Sequence, residues 1–400
     1  MVLNNENNEF EFYGEESEED LLIENIEVFN QAVIWGTDWT TETVVSQLKK
    51  GNIDLDPKFQ RRDAWNDLEK SKLIESLILG LPVPPIILAE KKTKKNEYLV
   101  IDGKQRLLTL RQFCADIDDK FNILTLKKMQ YLKSLNGITY QDLQDNIEFS
   151  QFRTNFENQI IRTIVIKNWP NEKFLYSVFL RLNTGSKKLS PQELRQALHP
   201  GDFLDFLDER TASSQLFFKL LRNNEPDPRM RDVELALRYF AFKTNINSFK
   251  GNLKEFLDNT SQKLNEAWED KKEDITGEFD ELEKAINYVF EMFGEKEAFS
   301  RWDKGRFSSR FNRALYEVFT FYFSIPLVRE ILDHKKEDFV NLFKELSEND
   351  NEFNDAISST TKDIHKTVYR FNKIYQLINN LIVIDIPYLA LKEGYIESVY

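Results

Sequence analysis

Between Tyr98 and Leu110 the sequence YLVIDGKQRLLTL changes its apolar rhythm. A continuous apolar run stops at Asp102-Gly103, and apolar residues resume at helical spacing with Leu107, Leu108, Leu110 and Phe113. One regular element cannot carry both patterns, so this stretch is restricted to a strand, a tight turn and a helix. Asp102 stands where a helix N-cap belongs, and Gly103 allows the chain to turn there.

The flanking segments read the same way. Thr40 and Thr41 precede ETVVSQLKKG, a short hydroxyl-capped helix stopped at Gly51, so the folded region is expected to begin near Thr40. DLEKSKLIESLILG gives a second helix closed by Gly80 and the prolines after it. PIILAE and YLVID form two strands around the charged tip KKTKKN, and QIIRTIVIKN is a third. NEKFLYSVFLRLNTG reads as a helix ending at Asn183 to Gly185, and SPQE from Ser190 to Glu193 is a capping box that opens the next helix. After His199, Phe-rich helical segments such as VELALRYFAF, FNRALYEVFTFYF and FVNLFKEL dominate, which predicts a helical domain over residues 201–400.

With 400 residues, 41% of them hydrophobic, the chain can bury large cores. The apolar stretch from Leu73 to Leu88 is broken by Glu75, Gly80 and prolines, far from the ~20 residues a membrane span needs, so no membrane association is expected. One cysteine, Cys114, and an acidic start without a basic flank point to the cytoplasm. The net charge of -13 is unevenly placed: residues 1–48 hold 12 acids and no Lys or Arg, leaving 55 acids against 54 bases. The body is thus nearly neutral and compatible with a basic groove. Residues 1–39 form an acidic arm expected to be flexible, either a solvated tail or an occupant of such a groove.

Three polar junctions carry chemistry. A strand ending at Asp-Gly and opening a helix with Lys104 and Arg106 gathers backbone N–H groups, a positive helix end and two cations, a combination suited to phosphate. The same residues also fit a capped turn whose Lys and Arg face water. FQRRDAW, Phe59 to Trp65, is the second junction, and RLNTGSKKL the third; alone, each fits surface arginines or a plain turn equally well.

Together, FQRRDAW, LIESLILGLPVPPIIL, YLVIDGKQRLLTL, FLRLNTGSKKLSPQELRQAL and RMRDVELALRYFAF, in this order, resemble the N-terminal domain of GmrSD-type restriction endonucleases, from about Thr40 to Phe242. The resemblance implies an α+β fold, with a ParB/sulfiredoxin-like nucleotide-binding domain over residues 40–200 ahead of the all-helical domain. It implies a pocket built on an Asp-Gly-Gln-Gln-Arg signature, in which this chain has Lys104 at the first Gln. Carried over by position, Asp102 and Arg106 are the catalytic candidates: Asp102 orients water or Mg2+, while Arg106 and Lys104 hold phosphates. Gln60, Arg61, Gly103, Gln105 and Asn183 complete the nucleotide site.

The expected function is a nucleoside triphosphate-binding, Mg2+-dependent NTPase regulating restriction or antiphage defence together with a separate nuclease or effector protein. A non-hydrolysing DNA-sensing or protein-interaction module is the alternative, motivated by Lys104. A nuclease with an unrecognised site in the helical half is the third reading. His199, His334 and His365 lack paired ligand spacing, so the HNH metal site of full-length members is not expected. TGSKKLS fails as a Walker loop because residue 180 is Leu and Gly185 precedes Ser186. Cys114, beside Phe113, reads as a buried thiol and argues against sulfiredoxin chemistry; no nucleophile-elbow motif supports a hydrolase triad. In RWDKGRFSSRFNRAL, Arg306, Arg310 and Arg313 at helical spacing are a candidate DNA-binding stripe, with Trp302 and Phe307 for stacking; a solvated arginine face fits as well.

Overall fold

The computed structural model describes residues 12–13, 31–53, 55, 62–171, 174–175, 177–178, 190–358, 363–392 and 394–399. Two compact units divide the chain, one spanning Leu21–Leu198 and the other Met1–Asp20 with His199–Tyr400. Phe12–Tyr13 is strand β1 of the second unit. Most of the acidic arm lies outside the described residues.

The first unit is α+β. Its strands are β2 (Val33–Thr40), β3 (Ile86–Glu90), β4 (Tyr98–Asp102) and β5 (Ile160–Lys167), in the order β2-β5-β3-β4. β5 runs parallel to β3, and both outer pairs are antiparallel. Its helices are α1 (Thr41–Lys49), α2 (Asp67–Ile78), α3 (Lys104–Phe113), α4 (Tyr140–Asp145), α5 (Ser150–Asn158) and α6 (Pro191–Leu198). β2 extends the ordered chain N-terminal to the Thr40 expected as its start. The reason is ladder pairing: all eight β2 residues have partners on β5, from Val33 opposite Lys167 to Thr40 opposite Ile160.

Strand alternation makes two cores from one sheet. Ile86, Leu88, Tyr98, Val100, Ile161 and Val165 face a cluster with Val44 and Leu48 of α1, Ile74 and Leu77 of α2, and Leu107, Leu108 and Phe113 of α3. Ile87, Ala89, Leu99, Ile101 and Ile166 face the other way, against Trp169, Phe174, Leu175 and Leu194. Because both of their faces are covered, β3 and β4 read as near-continuous apolar runs, whereas β2 at the sheet edge is largely exposed.

Helix ends follow the local chemistry. Thr40 caps α1 by accepting the Thr43 amide at 3.2 Å, and Asn66 with Glu69 forms a capping box on α2. Glu75, buried in α2, accepts the amides of Gln130, Tyr131 and Leu132 at 3.1, 2.7 and 2.8 Å, anchoring the loop before α4. Burial alone would raise its pKa, but the three amides outweigh it and hold the carboxyl below the usual range.

The second unit is predominantly helical: α7 (Asp202–Ser213), α8 (Gln215–Leu221), α9 (Arg231–Asn245), α10 (Leu253–Glu266), α11 (Trp268–Phe293), α12 (Arg313–Phe323), α13 (Pro326–Leu332), α14 (Lys336–Asn349), α15 (Asn351–Ser358) and α16 (Ile364–Leu381). Two hairpins accompany them, β6 (Ser300–Asp303) with β7 (Arg306–Asn312), and β8 (Tyr388–Lys392) with β9 (Tyr395–Val399); β1 lies parallel to β7. Every residue of α12 is buried, its apolar side chains in the core and its charged Arg313 and Glu317 against charged partners on neighbouring helices. Phe319 of α12 stacks on Phe293 of α11, centroids 5.5 Å apart, with Phe339 and Phe343 of α14 edge-on to the same pair.

Candidate functional site

β4 delivers Asp102 to the start of α3, but the helix N-cap is Gly103, not Asp102. Gly103 has φ 98°, and its amide donates to Asp102 Oδ1 at 2.7 Å. The left-handed cap turns the chain so sharply that the Asp102 side chain folds back on the turn itself, and α3 lacks a side-chain cap. A Cβ at Gly103 would lie 3.2 Å from both the Arg106 guanidinium and Ile86 Cγ1, so position 103 is restricted by space as well as by φ.

Three consecutive side chains of this first turn reach three different parts of the unit. Arg106 Nη2 donates to Asp102 Oδ2 at 3.1 Å, one turn back; the Asp102 side chain keeps 33% of its surface exposed. The Gln105 amide faces Asp63 and Ala64 of the FQRRDAW junction: with its nitrogen toward Asp63 Oδ1 the distance is 2.9 Å, and its oxygen then accepts the Ala64 amide at 3.3 Å. Lys104 points inward, its Nζ donating to Glu193 Oε1 at 2.9 Å, with both side chains under a tenth exposed.

Asp63 and Glu193 are the residues that the sequence reading missed. Asp63 also meets Lys70 Nζ of α2 and Gln112 Nε2 of α3, the latter at 3.3 Å, so one carboxylate pins the second junction to two helices. Glu193 completes the expected capping box: its Oε2 accepts the Ser190 amide at 2.7 Å, and its own amide donates to Ser190 Oγ at 3.1 Å. The signal for both was an acid beside a basic or capping motif. Nothing in the spacing said which cation it would meet.

Thus Asp63 and Ala64 of the second junction, and Glu193 of the helix that follows the third, meet the first turn of α3. The third junction itself, residues 181–189, lies outside the described residues. Gln60, Arg61 and Asn183 lie outside the described residues. Residues 41–200 match the family model of the GmrSD restriction endonuclease, N-terminal domain. This part of the chain is a GmrSD N-terminal domain. The match ties the protein to restriction systems, and it ends at residue 200, before the RMRDVELALRYFAF block. No curated protein matches the chain.

Within the GmrSD N-terminal domain, Cys114 terminates α3 and is buried; burial pushes its thiol well above the usual cysteine range, which makes it unreactive. Among the described residues, no group of three or more His, Cys, Asp or Glu side chains could hold a metal ion, and no helix is long and apolar enough to cross a membrane.

The arginine stripe beyond the GmrSD domain does not form. Arg306 and Arg310 lie on β7, two residues apart twice over and so on one strand face, while Arg313 opens α12 and is 1% exposed against Glu234. Helical spacing was misleading because Lys304 and Gly305, both at positive φ, turn the chain into a hairpin. Trp302 and Phe307 pack edge-to-face at 4.9 Å, with Lys344 4.7 Å above the Trp302 ring and Trp302 Nε1 donating to Glu348 at 2.7 Å. Their rings are engaged by the protein itself.

Proposed function

We propose that the GmrSD N-terminal domain binds a nucleoside triphosphate at the Asp102–Arg106 turn and regulates a separate nuclease or effector of a restriction system. The observation that carries this reading is the meeting of sequence-distant segments at one helix N-terminus: Asp63 and Ala64 on Gln105, and Glu193 on Lys104, around the turn that presents the Asp102–Arg106 pair. A helix start supplies amide hydrogens and a positive dipole end, and its first turn carries a guanidinium able to fork onto phosphate oxygens. Arg106 is held by a single partly exposed carboxylate, so an incoming phosphate can compete for it.

Asp102 suits magnesium only as one ligand among several, because no described acid cluster stands beside it. A magnesium ion held mainly by phosphates and water fits one carboxylate, and when bound it would neutralise phosphate charge. Asp102 would then face the ion or orient water, while Arg106 would hold the phosphates. The cytoplasm, where nucleoside triphosphates are abundant, is the compartment this reading implies.

Thermal shift against the common nucleoside triphosphates, with and without Mg2+, tests binding, since a ligand of the folded form raises apparent stability. One triphosphate should raise the midpoint, and Arg106→Ala should weaken it by at least about tenfold. Release of phosphate that disappears in Asp102→Ala would establish turnover. Tight DNA binding indifferent to every nucleotide would replace this reading with the DNA-sensing one.

A further inference from the structure

The Lys104–Glu193 pair has a geometry that a phosphate-binding lysine would not need. Lys104 is the first helical residue of α3, where a cation opposes the helix dipole, and it is buried. Its partner comes from 89 residues later in the chain. A buried ammonium needs a countercharge and hydrogen-bond acceptors; Glu193 supplies the charge and one acceptor through one oxygen while its other oxygen closes the N-terminus of α6. One carboxylate therefore fixes the first residue of α3 and the first turn of α6 together. Gln105 tethers the next residue of the same turn to Asp63.

We infer that Glu193 is a positioning residue for the nucleotide site: acting through Lys104, it sets the first turn of α3 and thereby the Asp102–Arg106 pair that meets the phosphates. The inference rests on the nucleotide reading above. It reassigns Lys104 from phosphate ligand to internal tether, and the cation in place of the family's Gln is matched to the Glu193 carboxylate.

The two roles of Lys104 predict opposite signs. If Lys104 is a phosphate ligand, Glu193→Gln releases its charge and strengthens triphosphate binding. If it is a tether, Glu193→Gln loosens the turn and weakens binding about tenfold. Lys104→Met should then weaken binding to a similar degree, and the double variant should be no worse than either single one, the non-additivity expected of groups acting as a unit.

Binding of Mg-ATP and the other common triphosphates is titrated for wild type and the three variants. Hydrogen exchange of the residue 104–107 amides is followed on the same samples, and the nucleotide-free midpoint checks folding. Weaker binding with faster exchange confined to that turn supports the inference. Should Glu193→Gln unfold, Lys104→Gln, which retains a donor for Glu193, must bind within about threefold of wild type if Lys104 is a tether and lose binding if it is a ligand. Unchanged or tighter binding in Glu193→Gln, with a normal wild-type response, overturns the inference alone. No response of the wild-type chain to any triphosphate overturns the nucleotide reading and this inference with it.

Discussion

The two units place their buried charges differently. In the first, ionic contacts sit where elements begin: Lys104 with Glu193 joins two helix starts, and Asp63 joins a loop to α2 and α3. In the second, the most deeply buried network is centred on helix interiors at Glu317, Arg238 and Arg370, with Glu234 and Arg313 near helix starts at its edge. Glu317 of α12 is fully buried and accepts Arg238 Nη1 of α9 at 2.6 Å and Arg370 Nη2 of α16 at 2.9 Å; Glu234 of α9 takes Arg238 Nε at 2.8 Å and lies 3.4 Å from Arg313. Charges between helix middles set register among packed helices, whereas charges at helix starts set the position of loops and turns. The network between helix interiors serves a scaffold, and the contacts at helix starts surround the turn proposed to bind the nucleotide.

The largest expected effect tests the scaffold half of this contrast. Glu317→Ala leaves two arginines buried without their shared carboxylate and should cost about 3–5 kcal/mol. That corresponds to a fall of roughly 10 °C in the calorimetric midpoint for a unit of this size. A midpoint within a degree of wild type would mean that the network contributes nothing to register.

Glu75 sharpens the comparison because it is the first unit's own deeply buried acid, yet it holds a loop. Glu75→Gln should destabilise by about 2 kcal/mol near neutral pH, as three amide donors lose a charged acceptor. Its folded pKa is lowered, so its contribution is present above the unfolded value of about 4.3 and fades as pH falls through the folded value. Denaturant titrations should therefore show wild type and variant converging in acid; a pH-independent difference would contradict the charge-based account.

Gly103→Ala comes next. A left-handed φ costs a residue with a Cβ about 1–2 kcal/mol, and the new atom crowds Arg106 and Ile86. Urea midpoints should register that modest loss, while triphosphate binding should fall far more than stability does; equal losses would make the turn merely structural. The smallest effect belongs to Arg306→Ala on the exposed face of β7, within about 0.5 kcal/mol of wild type by thermal melting. A larger loss would show that the hairpin surface is part of the scaffold.

How much of this was legible in the residues varies by element. The strand–turn–helix junction at Asp102, the capping box at Ser190 and Glu193, the hairpin strands around KKTKKN and the Phe-rich helical half all follow from periodicity and caps, which are local. The β7 strand did not, since Arg306, Arg310 and Arg313 fit a helical period as well as a hairpin, and only the Lys304–Gly305 turn distinguishes them. In the site, Asp102, Gly103, Gln105 and Arg106 were readable as one short motif. The roles of Asp63 and Glu193 were not, because each depends on a partner dozens of residues away.

By itself the sequence determined the element types, the strand-to-helix switch at Gly103 and the presence of a basic turn, all set by interactions within a few residues. Only the tertiary structure decided that Lys104 is buried against Glu193, that Gln105 meets Asp63 and that Arg313 turns inward to Glu234. Those outcomes depend on which distant charges share a desolvated space, and pairing there is selected by the cost of burying an ion alone, a quantity no local pattern encodes.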